Sequence, residues 1–233
     1  MTGWEGAYCG PAPGPAELLG RWNLDPAALL ALLLLALWAG RSRPGAAALV
    51  VLAIALVSPL CALSSALFSA RVVHHVLLVA VAAPLLALAR PARAPVGVGL
   101  PFLAATAALW LWHAPVPYDA ALGHVGLYWL MQASLLGTAW LFWRAAFSRP
   151  AGSGAPWVLF AYMTMGLLGA LLTFAPRPLY GAHAMGPLLW GMDPLADQQL
   201  GGLLMWVPAG LPFAAWGALL ARRSWRAMGG TAT

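Results

Sequence analysis

Residues 71–90 read Arg71-Val-Val-His74-His75-Val-Leu-Leu-Val-Ala-Val-Ala-Ala-Pro84-Leu-Leu-Ala-Leu-Ala-Arg90. Between the two arginines lies an apolar run of membrane-spanning length, and a pair of histidines stands at its start. A helix rises about 1.5 Å per residue, so such a run crosses most of a hydrocarbon core of about 30 Å. The same pattern recurs along the chain. Apolar runs at about 24–40, 45–68, 72–89, 96–113, 124–147, 156–175 and 195–221 predict seven transmembrane helices in one bundle. The expected organisation is a single transmembrane domain over 1–233, with an outer segment at 1–23, the all-α bundle at 24–221 and a basic tail at 222–233.

Composition agrees. Of 233 residues, 62% are hydrophobic and only 8% charged, with a mean hydropathy of +0.81. A soluble domain carries roughly a quarter charged residues. The formal charge of +6 comes entirely from arginine, since the chain has no lysine. Those arginines flank apolar runs, which excludes a nucleic-acid reading and makes the lipid bilayer the partner. The first 26 residues lack a basic stretch followed by an apolar core, so insertion is expected through the first helix rather than a cleaved signal.

Arginine placement orients the bundle. Arg41, Arg43, Arg90, Arg93, Arg144, Arg149, Arg222, Arg223 and Arg226 follow odd-numbered runs, and Arg21, Arg71 and Arg177 fall on the other side. The positive-inside rule then sets the N-terminus outside and the C-terminus in the cytoplasm. Glu5, Glu17, Asp25, Asp119, Asp193 and Asp197 all map outside. Pro59, Pro84, Pro101, Pro208 and Pro212 are expected to kink their helices. Gly166, Gly169 and Ala170 offer a close-packing face. Trp38, Trp110, Trp112, Trp140, Trp143, Trp157 and Trp190 read as an interfacial belt.

Polar groups near a bilayer are costly and therefore informative. All five histidines, His74, His75, His113, His124 and His183, map to the outer side, with Asp119 and Asp197-Gln198-Gln199. Met205 follows two turns after Asp197. Imidazole with thioether suits copper, and imidazole with carboxylate suits zinc, iron or Cu(II). The candidate metal ligands are His74, His75, His113, Asp197, Met205, His124 and His183. Adjacent helical residues point about 100° apart, so one of His74 and His75 is expected to ligate and the other to support it. The competing reading makes the histidines helix caps, Met205 packing and Asp197 a favourable helix start. Cys9 reads as an untethered thiol, Cys61 lies within an apolar run, and two cysteines make no disulfide framework.

Several strings carry a resemblance. Arg71-Val-Val-His74-His75, Trp110-Leu-Trp-His113-Ala-Pro115 with Tyr118-Asp119, Gly166 through Arg177 to Tyr180, and Asp193 through Asp197-Gln198-Gln199 to Met205-Trp206 resemble the multi-span CtaG family of cytochrome c oxidase assembly factors. The likeness runs from about Tyr8 to the last span. It implies a non-enzymatic, multi-pass protein of the bacterial cytoplasmic (inner) membrane that helps build haem-copper oxidase. It also implies cytochrome c oxidase subunits and a periplasmic copper donor as partners, copper as cargo, and roles for His74, His75, His113 and Asp197-Gln198-Gln199. The chain departs from the family pattern at Gln132, where many members carry histidine; if that position is a ligand elsewhere, this chain either uses another group, such as His124 or Met131, or has a weaker site.

Two alternatives remain beside copper delivery: non-covalent haem between His75 and His113, and a metal-free scaffold for oxidase assembly. A retinal photoreceptor needs a lysine, which is absent. A hydrolase built on Ser153, in Gly152-Ser153-Gly154, would lie on the cytoplasmic side, far from every histidine.

Overall fold

The computed structural model describes residues 8–149 and 153–229, which leaves Glu5, Gly152 and the last residues of the basic tail outside the described residues. The described residues are helical, with no strand among them. The helices are α1 (Pro26–Ala39), α2 (Arg43–Leu56), α3 (Pro59–Ala66), α4 (Phe68–Ala89), α5 (Gly99–His113), α6 (Pro115–Gly123), α7 (Val125–Ser148), α8 (Ala155–Thr173), α9 (Pro194–Trp206) and α10 (Gly210–Gly229).

Among the described residues, four helical stretches are long and apolar enough to cross a membrane alone: α4, α7, α8 and Pro194–Arg226, which joins α9 to α10. Two further crossings result if bent pairs are counted, α2 with α3 at 46° and α5 with α6 at 75°. Thus four to six spans are found where seven are expected. The difference has local causes. α1 has 14 residues and spans roughly 21 Å, short of the hydrocarbon thickness. At Ser58-Pro59 the chain restarts, because Ser58 Oγ accepts from Leu60 N–H at 3.2 Å and so caps a new helix, α3. At Ala114-Pro115 it restarts again, and the stretch expected to connect two spans forms α6.

The prolines divide accordingly. Pro59 and Pro115 open helices, Pro101 and Pro212 lie in first turns, where no intrahelical bond is lost, and Pro208 lies in the α9–α10 break. Pro84 alone sits within a continuous helix, just past a π-helical stretch at Leu77–Ala82. A π turn frees carbonyls from the ordinary ladder. Indole N–H groups engage this stretch, Trp143 Nε1 donating to Val79 O at 2.8 Å and Trp216 Nε1 to Ala80 O at 2.9 Å. Trp143 is therefore a core residue and not part of an interfacial belt. Trp112 is buried too, donating to Ser134 Oγ at 2.8 Å.

α4 is the central helix, packed by α2, α3, α7 and α9. α9 also packs on α8 through the expected small-residue face: a Cβ on Gly202 would lie 2.5 Å from Gly169 O, so both positions need glycine. At one end of the bundle Arg90 Nε donates to Trp38 O at 2.6 Å and Arg144 Nε to Arg90 O at 3.2 Å. At the other end the N-terminal segment folds back. Asn23 N–H donates to Val57 O at 2.8 Å, Tyr8 stacks on Tyr128, and Trp190 Nε1 donates to Pro13 O at 3.0 Å.

Cys9 and Cys61 are joined by a disulfide with a Cα–Cα distance of 5.4 Å. The reading of Cys9 as an untethered thiol is therefore corrected. Cys61 sits near the end of the α2–α3 pair that Asn23 and Tyr8 also cover, and the returning segment delivers Cys9 to it.

Candidate histidine centre

Three of the five histidines come together. His74 and His75 lie on α4 just before its π stretch, and His113 ends α5. The rings of His74 and His75 stand 5.8 Å apart, and those of His75 and His113 stand 5.3 Å apart, both edge to face. All three are buried.

Their hydrogen bonds fix which nitrogens are left over. His113 Nδ1–H donates to Leu109 O at 2.7 Å, leaving the Nε2 lone pair without a partner. His74 Nε2–H donates to Gln132 Oε1 at 3.3 Å, leaving Nδ1 as the unpaired acceptor. His75 makes no hydrogen bond through either ring nitrogen. Eight buried side-chain polar atoms among the described residues lack a partner, and six belong to His74, His75, His113, Gln132 and Arg71. Each buried orphan costs roughly 1–3 kcal/mol, so native interiors keep them few. Their concentration in one place fits a group that the chain itself does not supply. An imidazole that donates one N–H to a backbone carbonyl and directs the other nitrogen outward is arranged as a metal ligand is. The three rings nevertheless do not converge on one point. No group of three or more His, Cys, Asp or Glu side chains among the described residues is placed to hold a metal ion. The closest approach to a site is the His75–His113 pair.

The remaining candidates are engaged elsewhere. Asp197 is fully buried at the start of α9, accepting from Phe68 N–H at 2.6 Å, from Ser69 N–H at 3.2 Å and from the Ser69 hydroxyl. It thus caps α4 from another helix at Ser69, a residue that precedes His75 by six positions, about 9 Å along the helix axis. Gln198 accepts from Leu179 N–H at 2.7 Å and reaches the carbonyls of Leu172 and Arg177, and Gln199 reaches Ala175 O. The acidic-amide motif therefore ties the long loop and the end of α8 to α9. Gly201 abuts Phe68 and Ser69, and Met205 lies buried one turn beyond it on the same face.

His183 lies in the loop turn Gly181–His183. Its Nδ1–H donates to Ala66 O at 3.3 Å, and Tyr118 Oη donates to its Nε2 at 2.7 Å, so both nitrogens are satisfied. Burial, helped by the charge of Arg71, pushes its pKa down to about 3. Asp119 accepts from Gly181 and Ala182 N–H at 2.9 and 3.1 Å, and Tyr180 Oη donates to His113 O at 2.8 Å. The loop is thereby fastened to α6 and to the backbone of His113. His124 caps α7, its Nδ1 accepting from Gly126 N–H at 3.1 Å, and is exposed.

Two residues of the cluster carry chemistry that the metal reading did not assign. Gln132 is one. Its side-chain carbonyl faces His74 directly. Arg71 is the other: 1% exposed, Nε donating to Ser64 O at 3.2 Å, guanidinium 5.4 Å from the Tyr128 ring centre, Nη1 unpartnered. A fully buried arginine is visible in sequence only as one of three basic residues against the charge rule.

A bundle of apolar spans enclosing a polar histidine cluster defines a polytopic helical membrane protein. Residues 38–100 and 98–227 match the family model of the cytochrome c oxidase caa3 assembly factor (Caa3_CtaG), and the chain belongs to that family. No curated protein and no solved structure matches it.

Proposed function

We propose that the chain is a non-catalytic copper-handling member of the oxidase assembly family. In this reading it holds copper between His75 and His113 at the extracytoplasmic end of the bundle and passes it to a cytochrome c oxidase subunit. The observation that carries the reading is the set of unpartnered nitrogens on His74, His75 and His113, with His113 fixed through Nδ1 to Leu109 O. Two ligands with open positions suit delivery, because cargo held in a closed cage does not leave. The copper donor would be a periplasmic protein, and the membrane the bacterial cytoplasmic one.

Orientation is supported by two independent features. The arginine-rich end carries Arg90 and Arg144, and the opposite end carries the Cys9–Cys61 disulfide. Disulfides persist in oxidising compartments, which suits an extracytoplasmic placement of the end with Cys9, Cys61 and the outer loop. Of the alternatives, the metal-free scaffold has an observation of its own, the fixed positive charge of Arg71 beside the histidines. Haem has less support, because the edge-to-face rings of His75 and His113, 5.3 Å apart, leave no slot for a macrocycle between them.

The test is the copper content of detergent-purified protein after anaerobic loading with Cu(I), beside His75→Ala and His113→Ala. Near-stoichiometric copper that is lost in both variants is expected, together with loss of assembled oxidase in cells carrying His113→Ala. Absence of copper from the wild-type chain would replace this reading with the scaffold.

A further inference from the structure

Among the described residues, Arg71 is the least accommodated charge. Guanidinium stays protonated under all physiological conditions, and burying a charge without a counter-charge is expensive. Among the described residues the ion pair present is Arg21–Glu17, and no carboxylate pairs with Arg71. The acids nearby in the fold are committed to backbone N–H groups, Asp197 at Phe68 and Ser69, Asp119 at Gly181 and Ala182. What faces Arg71 is neutral: Ser64 O, which it helps cap at the end of α3, and the ring of Tyr128. Arg71 stands three and four residues before His74 and His75, spacings that set side chains on one helix face. A permanent positive charge therefore adjoins a cluster whose ligands are all neutral.

Resting on the copper reading above, we propose that Arg71 makes the histidine centre selective for a monovalent soft cation, Cu(I), against divalent ions. A fixed charge raises the free energy of any cation bound beside it, and the penalty scales with the cation's charge. At separations of about 6–12 Å and an effective dielectric near 20, it weakens a monocation roughly 10- to 100-fold and a dication by the square of that factor. Coordination points the same way. Zinc takes four ligands, usually with thiolate or carboxylate among them, whereas the approach of His75 and His113 offers two neutral nitrogens. A d10 monocation accepts two-coordinate binding; a dication there would have no anionic ligand and a guanidinium as neighbour. Arg71 thus also keeps the cargo weakly held, as a donor requires.

The experiment measures affinities of the full-length, detergent-purified protein for Ag(I), a redox-inert stand-in for Cu(I), and for Zn(II), by competition with chelators of known affinity. Arg71→Met and Arg71→Gln remove the charge, and Arg71→Lys retains it. Wild type is expected to bind Ag(I) and to leave Zn(II) largely unbound. The neutral variants should tighten Ag(I) roughly 10- to 100-fold and Zn(II) by more, narrowing the gap, while Arg71→Lys keeps the wild-type preference. A purely structural arginine would give the opposite sign, with both affinities falling. Folded neutral variants with an unchanged Ag(I):Zn(II) ratio would overturn the inference and leave the copper reading standing. So would a wild-type chain that binds Zn(II) as tightly as Ag(I), whatever the variants do. Failure of every chain to bind Ag(I) or Cu(I) would remove the copper reading itself.

Discussion

Replacing Asp197 separates a ligand from a cap. Both of its carboxylate oxygens are consumed at the start of α4, by Phe68 N–H at 2.6 Å, Ser69 N–H at 3.2 Å and the Ser69 hydroxyl, in a fully buried setting. Asp197→Ala would strand two buried N–H donors and one hydroxyl, at roughly 1–3 kcal/mol for each group left unsatisfied. The loss of an N-cap alone is worth about 1 kcal/mol. Allowing for partial rescue by water, the expected cost is about 3–5 kcal/mol, a fall in Tm on the order of 10 °C for a chain of this size. Asp197→Asn keeps one acceptor oxygen and should cost about half as much. The assay is thermal unfolding in detergent, followed by tryptophan emission, with copper content determined on the fraction that stays folded. If Asp197→Asn unfolds like wild type but carries no copper, the capping argument is wrong and Asp197 is a ligand.

Other expectations follow from the same contacts. His183 is held neutral with its pKa down at about 3, against 6.5 for a free histidine, so its contribution is complete above pH 6.5 and is lost as pH falls towards 3. By pH 5 the fold should lose about 2 kcal/mol from this group, visible as a lower protection factor (amide exchange relative to its intrinsic rate at each pH) in the turn Gly181–His183, and His183→Gln should flatten that dependence. Protection factors that do not change between pH 7 and 5 would contradict it. Trp143→Phe removes the indole bond to Val79 O and should destabilise the protein by about 1–2 kcal/mol in thermal unfolding, with histidine-centre metal affinity as the second readout. In intact cells a membrane-impermeant maleimide should label Cys9 and Cys61 only after an impermeant reductant; labelling without reduction would deny the disulfide.

Much of the architecture is legible in the sequence because bilayer physics is simple. Long apolar runs must be helical to satisfy their backbone, and α4, α7 and α8 lie close to where such runs predict them. What hydropathy does not register is the break at Ser58-Pro59 or Ala114-Pro115, since a window average passes smoothly over one capped residue. The site divides in the same way. His74, His75 and His113 share a depth that run boundaries predict, and they cluster. His124 instead caps its own helix, and His183 and Asp197 meet backbone groups of remote segments, Ala66 and Phe68 among them, which only the packed chain brings near. The disulfide was hidden for a related reason. Cys61 reads as apolar filling until the N-terminal segment is seen to fold back over it.

The π stretch at Leu77–Ala82 has a consequence for how this helix can change over time. A π turn absorbs one extra residue, so the two halves of α4 are out of phase by about 100° relative to an uninterrupted helix. The upstream half can keep Arg71, His74 and His75 aimed into the cluster while the downstream half keeps its own faces towards α2 and α7. The two surfaces are thereby free to drift under separate pressures, one set by the histidine cluster and the other by packing. The indoles of Trp143 and Trp216, bound to Val79 and Ala80, act as the clasp on that joint.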